Sequence, residues 1–138
     1  MARILAIDFG EKRTGIAVSD PLQLIANGLT TVATDDLERF IADYLSHEAV
    51  ERFVVGFPKT LRNEPALVTA KITPFVERLR QRFPSIPVEL VDERFTSKMA
   101  FQAMIDGGLT KKERRNKALI DQVSATIILE EFLESKRR

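Results

Sequence analysis

The sequence predicts an α/β domain in which a β-hairpin meander leads into alternating strands and helices. Three observations carry this expectation. Short apolar runs recur along the chain and end in acids, glycine or proline, as buried strands do. Between the later runs, apolar residues repeat at the 3.6-residue spacing of a helix packed on one face. A length of 138 residues suits one domain, roughly 100–200 residues being usual.

Arg3-Ile4-Leu5-Ala6-Ile7-Asp8 is the first such run, and Gly10 to Gly15 forms a turn after it. Thr14 to Val18 follows as a second strand, which makes a hairpin with the first, and a third covers Leu24 to Val32. Thr34 with Asp35 and Asp36 is an N-cap signal. Leu37, Phe40, Ile41, Tyr44 and Leu45 then line one face of a helix. Arg52 to Gly56 is a short strand closed by Phe57-Pro58. A helix from about Pro65 to Arg82 packs through Val68, Ile72, Phe75, Val76 and Leu79, with Pro74 as a candidate kink. Pro87 to Val91 is a strand ending in Asp92-Glu93-Arg94. Thr96 or Ser97 caps a helix that Gly107-Gly108 terminates after Asp106. Beyond a basic stretch, Lys111 to Lys117, a last helix runs from Lys117 to Ser135.

Composition narrows the chemistry. The chain has no cysteine and one histidine, which excludes disulfide scaffolds, zinc fingers, thiol nucleophiles and multi-histidine metal sites. Catalysis must run on carboxylates, hydroxyls, Lys, Arg or the backbone. His47, near the end of the first helix, suits the helix dipole better than catalysis. Lys and Arg number 21 against 20 Asp and Glu, so net charge alone does not mark a nucleic-acid binder. No run approaches the ~20 apolar residues of a membrane span, and Met1 leads into the first strand without a signal-peptide layout. A cytoplasmic protein is expected.

Three carboxylates stand out. Asp8 ends the first strand, where ligand sites of open α/β sheets gather, although an Asx-turn opening the Gly10–Gly15 connection uses the same residue. Glu93 stands just past another strand end, between Asp92 and Arg94, where a surface ion pair is the plain alternative. Asp121 is more informative. At ~100° per residue it aligns within about 40° with Ala125, Ile128 and Phe132, the apolar stripe of the last helix. A carboxylate on that stripe needs a partner: a Lys or Arg, a contact near the helix start, or a cation. If the helix crosses the sheet near the strand ends, the three acids converge. Oxygen-only ligation then favours Mg²⁺ or Mn²⁺, and two such ions would activate water against a phosphodiester.

The run from Asp8 through Gly10, Lys12, Arg13 and Gly15 to Ser19-Asp20 resembles the opening signature of the YqgF family of RNase H-like nucleases. Gly56-Phe57-Pro58, Val91-Asp92-Glu93-Arg94-Phe95-Thr96-Ser97 and Asp121-Gln122-Val123-Ser124-Ala125 resemble its later blocks, in the same order. The resemblance covers nearly the whole chain. It implies an RNase H-like fold, a five-stranded mixed sheet with strand two antiparallel to its neighbours, flanked by helices. It also implies that the family's catalytic, metal-binding acids fall on Asp8, Glu93 and Asp121. Its members are described as nucleases of precursor 16S ribosomal RNA and, earlier, as Holliday junction resolvases. One departure is the segment Lys59 to Pro65, which is shorter than the family's loop and has no glycine.

On the substrate side, Lys111, Lys112, Arg114, Arg115 and Lys117 precede Asp121 closely. They read either as a solvated connector or as phosphate contacts that orient a backbone without reading its bases. Lys12, Arg13 and Arg94 are further candidates, whereas Lys136-Arg137-Arg138 reads as a tail. The expected function is a Mg²⁺- or Mn²⁺-dependent endonuclease maturing precursor 16S ribosomal RNA, as monomer or homodimer. The alternatives are resolution of branched DNA, a non-catalytic RNA-binding assembly factor, and a phosphate loop of the actin and sugar-kinase type at Asp8–Gly15.

Overall fold

The computed structural model describes residues 2–57, 69–92 and 96–136. Strand β1 (Arg3–Asp8) lies in the middle of a five-stranded sheet, and Ile4, Leu5, Ala6 and Ile7 are all fully buried. A strand covered on both faces reads as a continuous apolar run, which is why its sequence shows no alternation. β2 (Arg13–Ser19) returns antiparallel to β1, and β3 (Ala26–Ala33) pairs antiparallel with β2. On the other side β4 (Val50–Phe57) and then β5 (Val88–Asp92) add in parallel. The order is β3-β2-β1-β4-β5, a mixed sheet with β2 antiparallel to its neighbours, as the family resemblance implies.

Helices cover both faces, and the parity of each strand decides which residues meet them. Leu5, Ile7, Ile16, Val18, Phe53 and Val55 pack against α1 (Leu37–His47) and α2 (Thr69–Arg82). Ile4, Ala6, Ala17 and Val54 point the other way, onto α5 (Lys117–Lys136). The first face is filled by large aliphatic and aromatic side chains. The second mixes Ile4 and Val54 with the small Ala6 and Ala17, and α5 packs over them. α3 (Thr96–Asp106) and the single turn α4 (Lys111–Arg114) precede α5 in the chain.

Three details differ from the sequence expectation. β3 starts at Ala26 rather than Leu24, because Asp20 intervenes. Its Oδ1 accepts from the N–H of Leu24 and of Ile25 at 2.8 Å each, and its Oδ2 accepts from the N–H of Leu22. Those bonds fold residues 20–25 into a loop with Gln23 at φ 59°. Thr34 is not an N-cap. Its hydroxyl donates to the Gly10 carbonyl at 2.7 Å, so the Thr14 hydroxyl at 2.9 Å must be the donor between the two threonines. A 3-10 turn, Thr34–Asp36, leads into α1 instead. The basic stretch also holds a helical turn where a connector was expected. Thr110 and Glu113 form a reciprocal capping box there.

Pro74 lies inside α2, where it removes one donor from the helix ladder. The expected start of that helix, Pro65 to Val68, and the loop Lys59 to Pro65 lie outside the described residues. Among the described residues no helix is long and apolar enough to cross a membrane.

The Asp20 loop gives a pH prediction. The N–H of Ile25, with those of Leu24 and Leu22, holds the Asp20 carboxyl below its ordinary value of 3.8. A depressed carboxyl contributes stability above its unfolded-state pKa and loses it as pH falls through the folded value. Amide protection at Leu22, Leu24 and Ile25 should therefore hold near neutrality and fall in acid. Asp20→Ala should remove it at both pH values, as read by hydrogen exchange.

Candidate active site

The site begins with small residues. Gly15 is the register partner of Asp8 across the β1–β2 ladder, so the two face the same side of the sheet. That side carries α5, and the helix lies directly on Gly15. A Cβ built on Gly15 would stand 1.9 Å from the Asp121 backbone oxygen. Gly28 on β3 opposes Ala17, and a Cβ there would meet the Gln122 side chain at 2.7 Å. Between these points the Thr31 hydroxyl, opposite Gly15, donates to the Ala118 carbonyl at 2.5 Å. Two glycines, Ala17 and Ala6 thus make a shallow lane in the sheet. The fully buried Ala125 continues it from the helix side.

This seating brings Asp121 to the carboxyl end of β1, beside the pair Asp8–Gly15. The helix start is held by Asn116, whose Oδ1 accepts from the Leu119 N–H at 3.2 Å. Asp121 therefore sits just over a turn into α5, at a helical position that faces the sheet. Its side chain is 24% exposed, and Arg13 Nε donates to its Oδ2 at 3.0 Å. Arg13 lies two residues before Gly15 on β2, so it shares that face. Asp121 and the Arg13 guanidinium thus meet beside Gly15, whose register partner is Asp8.

The RuvX family model, described as Holliday junction resolvase, matches residues 2–135. The chain belongs to the RuvX family. It is 61% identical over 137 residues to a Phocaeicola vulgatus protein named "Putative pre-16S rRNA nuclease", covering 99% of each chain. A Bacteroides thetaiotaomicron protein of the same name is 60% identical, again over 99% of each. Among solved structures, Thermus thermophilus RuvC in complex with a Holliday junction substrate aligns with a TM-score of 0.58. That match has 22% identity and covers 99% of this chain and 96% of the other. It shows the RNase H-like fold.

Within this RuvX-family fold the expected site residues fall into separate groups. Asp8 and Asp121 share the α5 side of the sheet at the carboxyl end of β1. Glu93 and Arg94 lie outside the described residues, immediately after β5. Arg13, expected at a phosphate, is bonded to Asp121 instead. Lys12 is exposed in the turn before β2, and its carbonyl accepts from the Thr34 N–H. Lys111, Lys112 and Arg115 are exposed around α4, and Lys117 is exposed at the start of α5. Arg114 is different: half-buried, it turns back to donate to the Leu109 carbonyl at 2.8 Å. His47 makes local contacts, its Nδ1 lying 2.9 Å from the Asp43 carbonyl oxygen.

Among the described residues no cluster of three His, Asp or Glu side chains could hold a metal ion. The described donors are the two aspartates, and their oxygen-only chemistry fits a hard divalent cation. The part-exposed Asp121 already carries one positive partner in Arg13, so this position accommodates positive charge.

Sequence reasoning placed Gly15 in a turn and a family signature without its packing role, and passed over the caps of α4 and α5. The Thr-x-x-Glu spacing of Thr110 and Glu113, and an Asn before the last helix, were available signals. The closeness of Gly15 to Asp121 had none, because it belongs to two elements at once. Gly15→Ala should destabilise the protein by about 1–3 kcal/mol, as overpacked sites do. A denaturant titration measures that loss.

Proposed function

We propose that this chain is a divalent-cation-dependent endonuclease that hydrolyses phosphodiester bonds in precursor 16S ribosomal RNA. The observation that carries the reading is the seating of Asp121 against Gly15, the register partner of Asp8. The names of the close relatives support the substrate. Glu93 supplies the third carboxylate in this reading. It follows β5 by one residue, and Val91, two positions earlier, packs with the cluster on the α5 side.

Asp8, Glu93 and Asp121 would together hold Mg²⁺ or Mn²⁺, as two ions. Bound there, the ions would acidify an attacking water and stabilise the departing oxygen. The chain itself positions the reaction. Asp8 is held in register by the β1–β2 ladder, and Asp121 by a helix capped at Asn116. Lys111, Lys112, Arg115 and Lys117 lie just upstream of Asp121, and with Lys12 and Arg94 they bind phosphates by charge. Such contacts set the position of the backbone and leave its sequence unread. In-line attack of water inverts the phosphorus centre. Arg114 is held by the Leu109 carbonyl and contributes to the shape of this surface.

A second reading, resolution of branched DNA, is favoured by the description of the matching family. Both are tested together. Wild type and Asp8→Asn are incubated with precursor 16S ribosomal RNA and with a four-way DNA junction, in Mg²⁺, Mn²⁺ or EDTA. Cation-dependent cleavage of the RNA is expected, falling by at least about 100-fold in Asp8→Asn while the fold is kept. Cleavage that survives in Asp8→Asn contradicts the site. Cleavage of the junction alone selects the second reading. RNA binding with no cleavage by wild type makes the protein an assembly factor.

A further inference from the structure

The ion pair between Arg13 and Asp121 joins residues 108 positions apart and sits where the proposed cation would sit. Arg13 and Gly15 lie on one face of β2, and Gly15 touches the Asp121 backbone, so the guanidinium is aimed at the site by strand parity. Asp121 Oδ2 accepts its hydrogen bond at 3.0 Å. A carboxylate oxygen committed to a guanidinium is a poor ligand for a dication, because the two positive charges repel at that range. A guanidinium does not lose its proton in a protein. The conflict is therefore resolved by movement rather than by titration.

Movement is cheap here. The two side chains are 40% and 24% exposed, so solvent screens the pair. Pairs of this kind cost a competitor less than about an order of magnitude in affinity. The Arg side chain is long and anchored only at β2, and the planar fork it frees matches a phosphate.

We propose that Arg13 is the resident counter-ion of Asp121 and that a divalent cation binds by displacing it, turning the guanidinium toward the substrate phosphodiester. The inference rests on the cation site proposed above. It gives Asp121 a positive partner before a cation arrives. It also makes Arg13 a positioning residue whose two partners, carboxylate and phosphate, are used in turn.

The test is cation binding, measured apart from cleavage. Wild type, Arg13→Gln, Arg13→Lys and Asp121→Asn are stripped with EDTA, exchanged into cation-free buffer and titrated with Mn²⁺ alone by calorimetry. Arg13→Gln should bind Mn²⁺ about two- to five-fold more tightly than wild type. Its thermal midpoint should be lower without cation, and Mn²⁺ should raise it by more. Arg13→Lys keeps the charge and loses the Nε–H donor, so its affinity should fall between the two. It carries the test if the Gln variant fails to fold. Mn²⁺ affinity that does not rise in the folded Arg13 variants overturns the proposal and leaves the site intact. Wild-type Mn²⁺ binding that is absent, or unchanged in Asp121→Asn, overturns the site and the proposal with it.

Discussion

The architecture depends on one close approach, the backbone of α5 at Asp121 resting on Gly15 of β2. Any side chain at Gly15 would occupy space already filled by the helix backbone. Because Gly15 is in register with Asp8, the same contact that seats the helix also places the second acid beside the first. In the proposed reading, packing and chemistry are thus one constraint. The small residues around it, Ala6, Ala17, Gly28 and Ala125, extend the close approach along the helix. On the opposite face, where α1 and α2 pack, the sheet presents Leu5, Ile7, Phe53 and Val55, and the helices answer with side chains such as Phe75 and Leu79. The sheet is asymmetric because only one face must bring a helix backbone to a strand end.

Much of this was legible in the sequence, for identifiable reasons. β1 announced itself as an uninterrupted apolar run closed by Asp8, since a strand buried on both faces has no polar side. Asp121 was visible as an acid on an apolar helical stripe, and the stripe, Ala125, Ile128 and Phe132, is buried as its spacing required. The order of strands and helices followed from the alternation of periods. What was illegible involves pairs of distant residues. The fit of Gly15 to Asp121 and the bond from Arg13 to Asp121 each need the fold before they exist. A different error arose at Leu24, an apolar residue read as strand although the Asp20 carboxylate claims its N–H. Local side-chain hydrogen bonds of that kind compete with strand pairing and leave little trace in hydrophobic pattern.

Charge shows the same dependence on position. The chain is nearly neutral overall, yet residues 111–138 hold eight Lys and Arg against five acids, and residues 31–60 hold six acids against three. The basic excess falls on residues 111–117, shortly before Asp121 in the chain, and the acids of 31–60 are spread from the turn before α1 to the start of β4. Arg13 refines this picture, for it is a base bonded to Asp121, an acid of the candidate site. The absence of cysteine, with a single histidine placed in α1, leaves oxygen ligands as the means of holding a cation.

The central claim is that Asp8 and Asp121 belong to one cation site across Gly15. Paramagnetic broadening tests it most directly, by adding substoichiometric Mn²⁺ to the ¹⁵N-labelled wild-type protein. The amide signals of Asp8, Gly15 and Asp121 should broaden together and ahead of all others outside their neighbourhood, and EDTA should restore them. Broadening that begins at another acidic cluster, such as Asp35-Asp36 or Glu130-Glu131-Glu134, with these three signals left sharp, would contradict it.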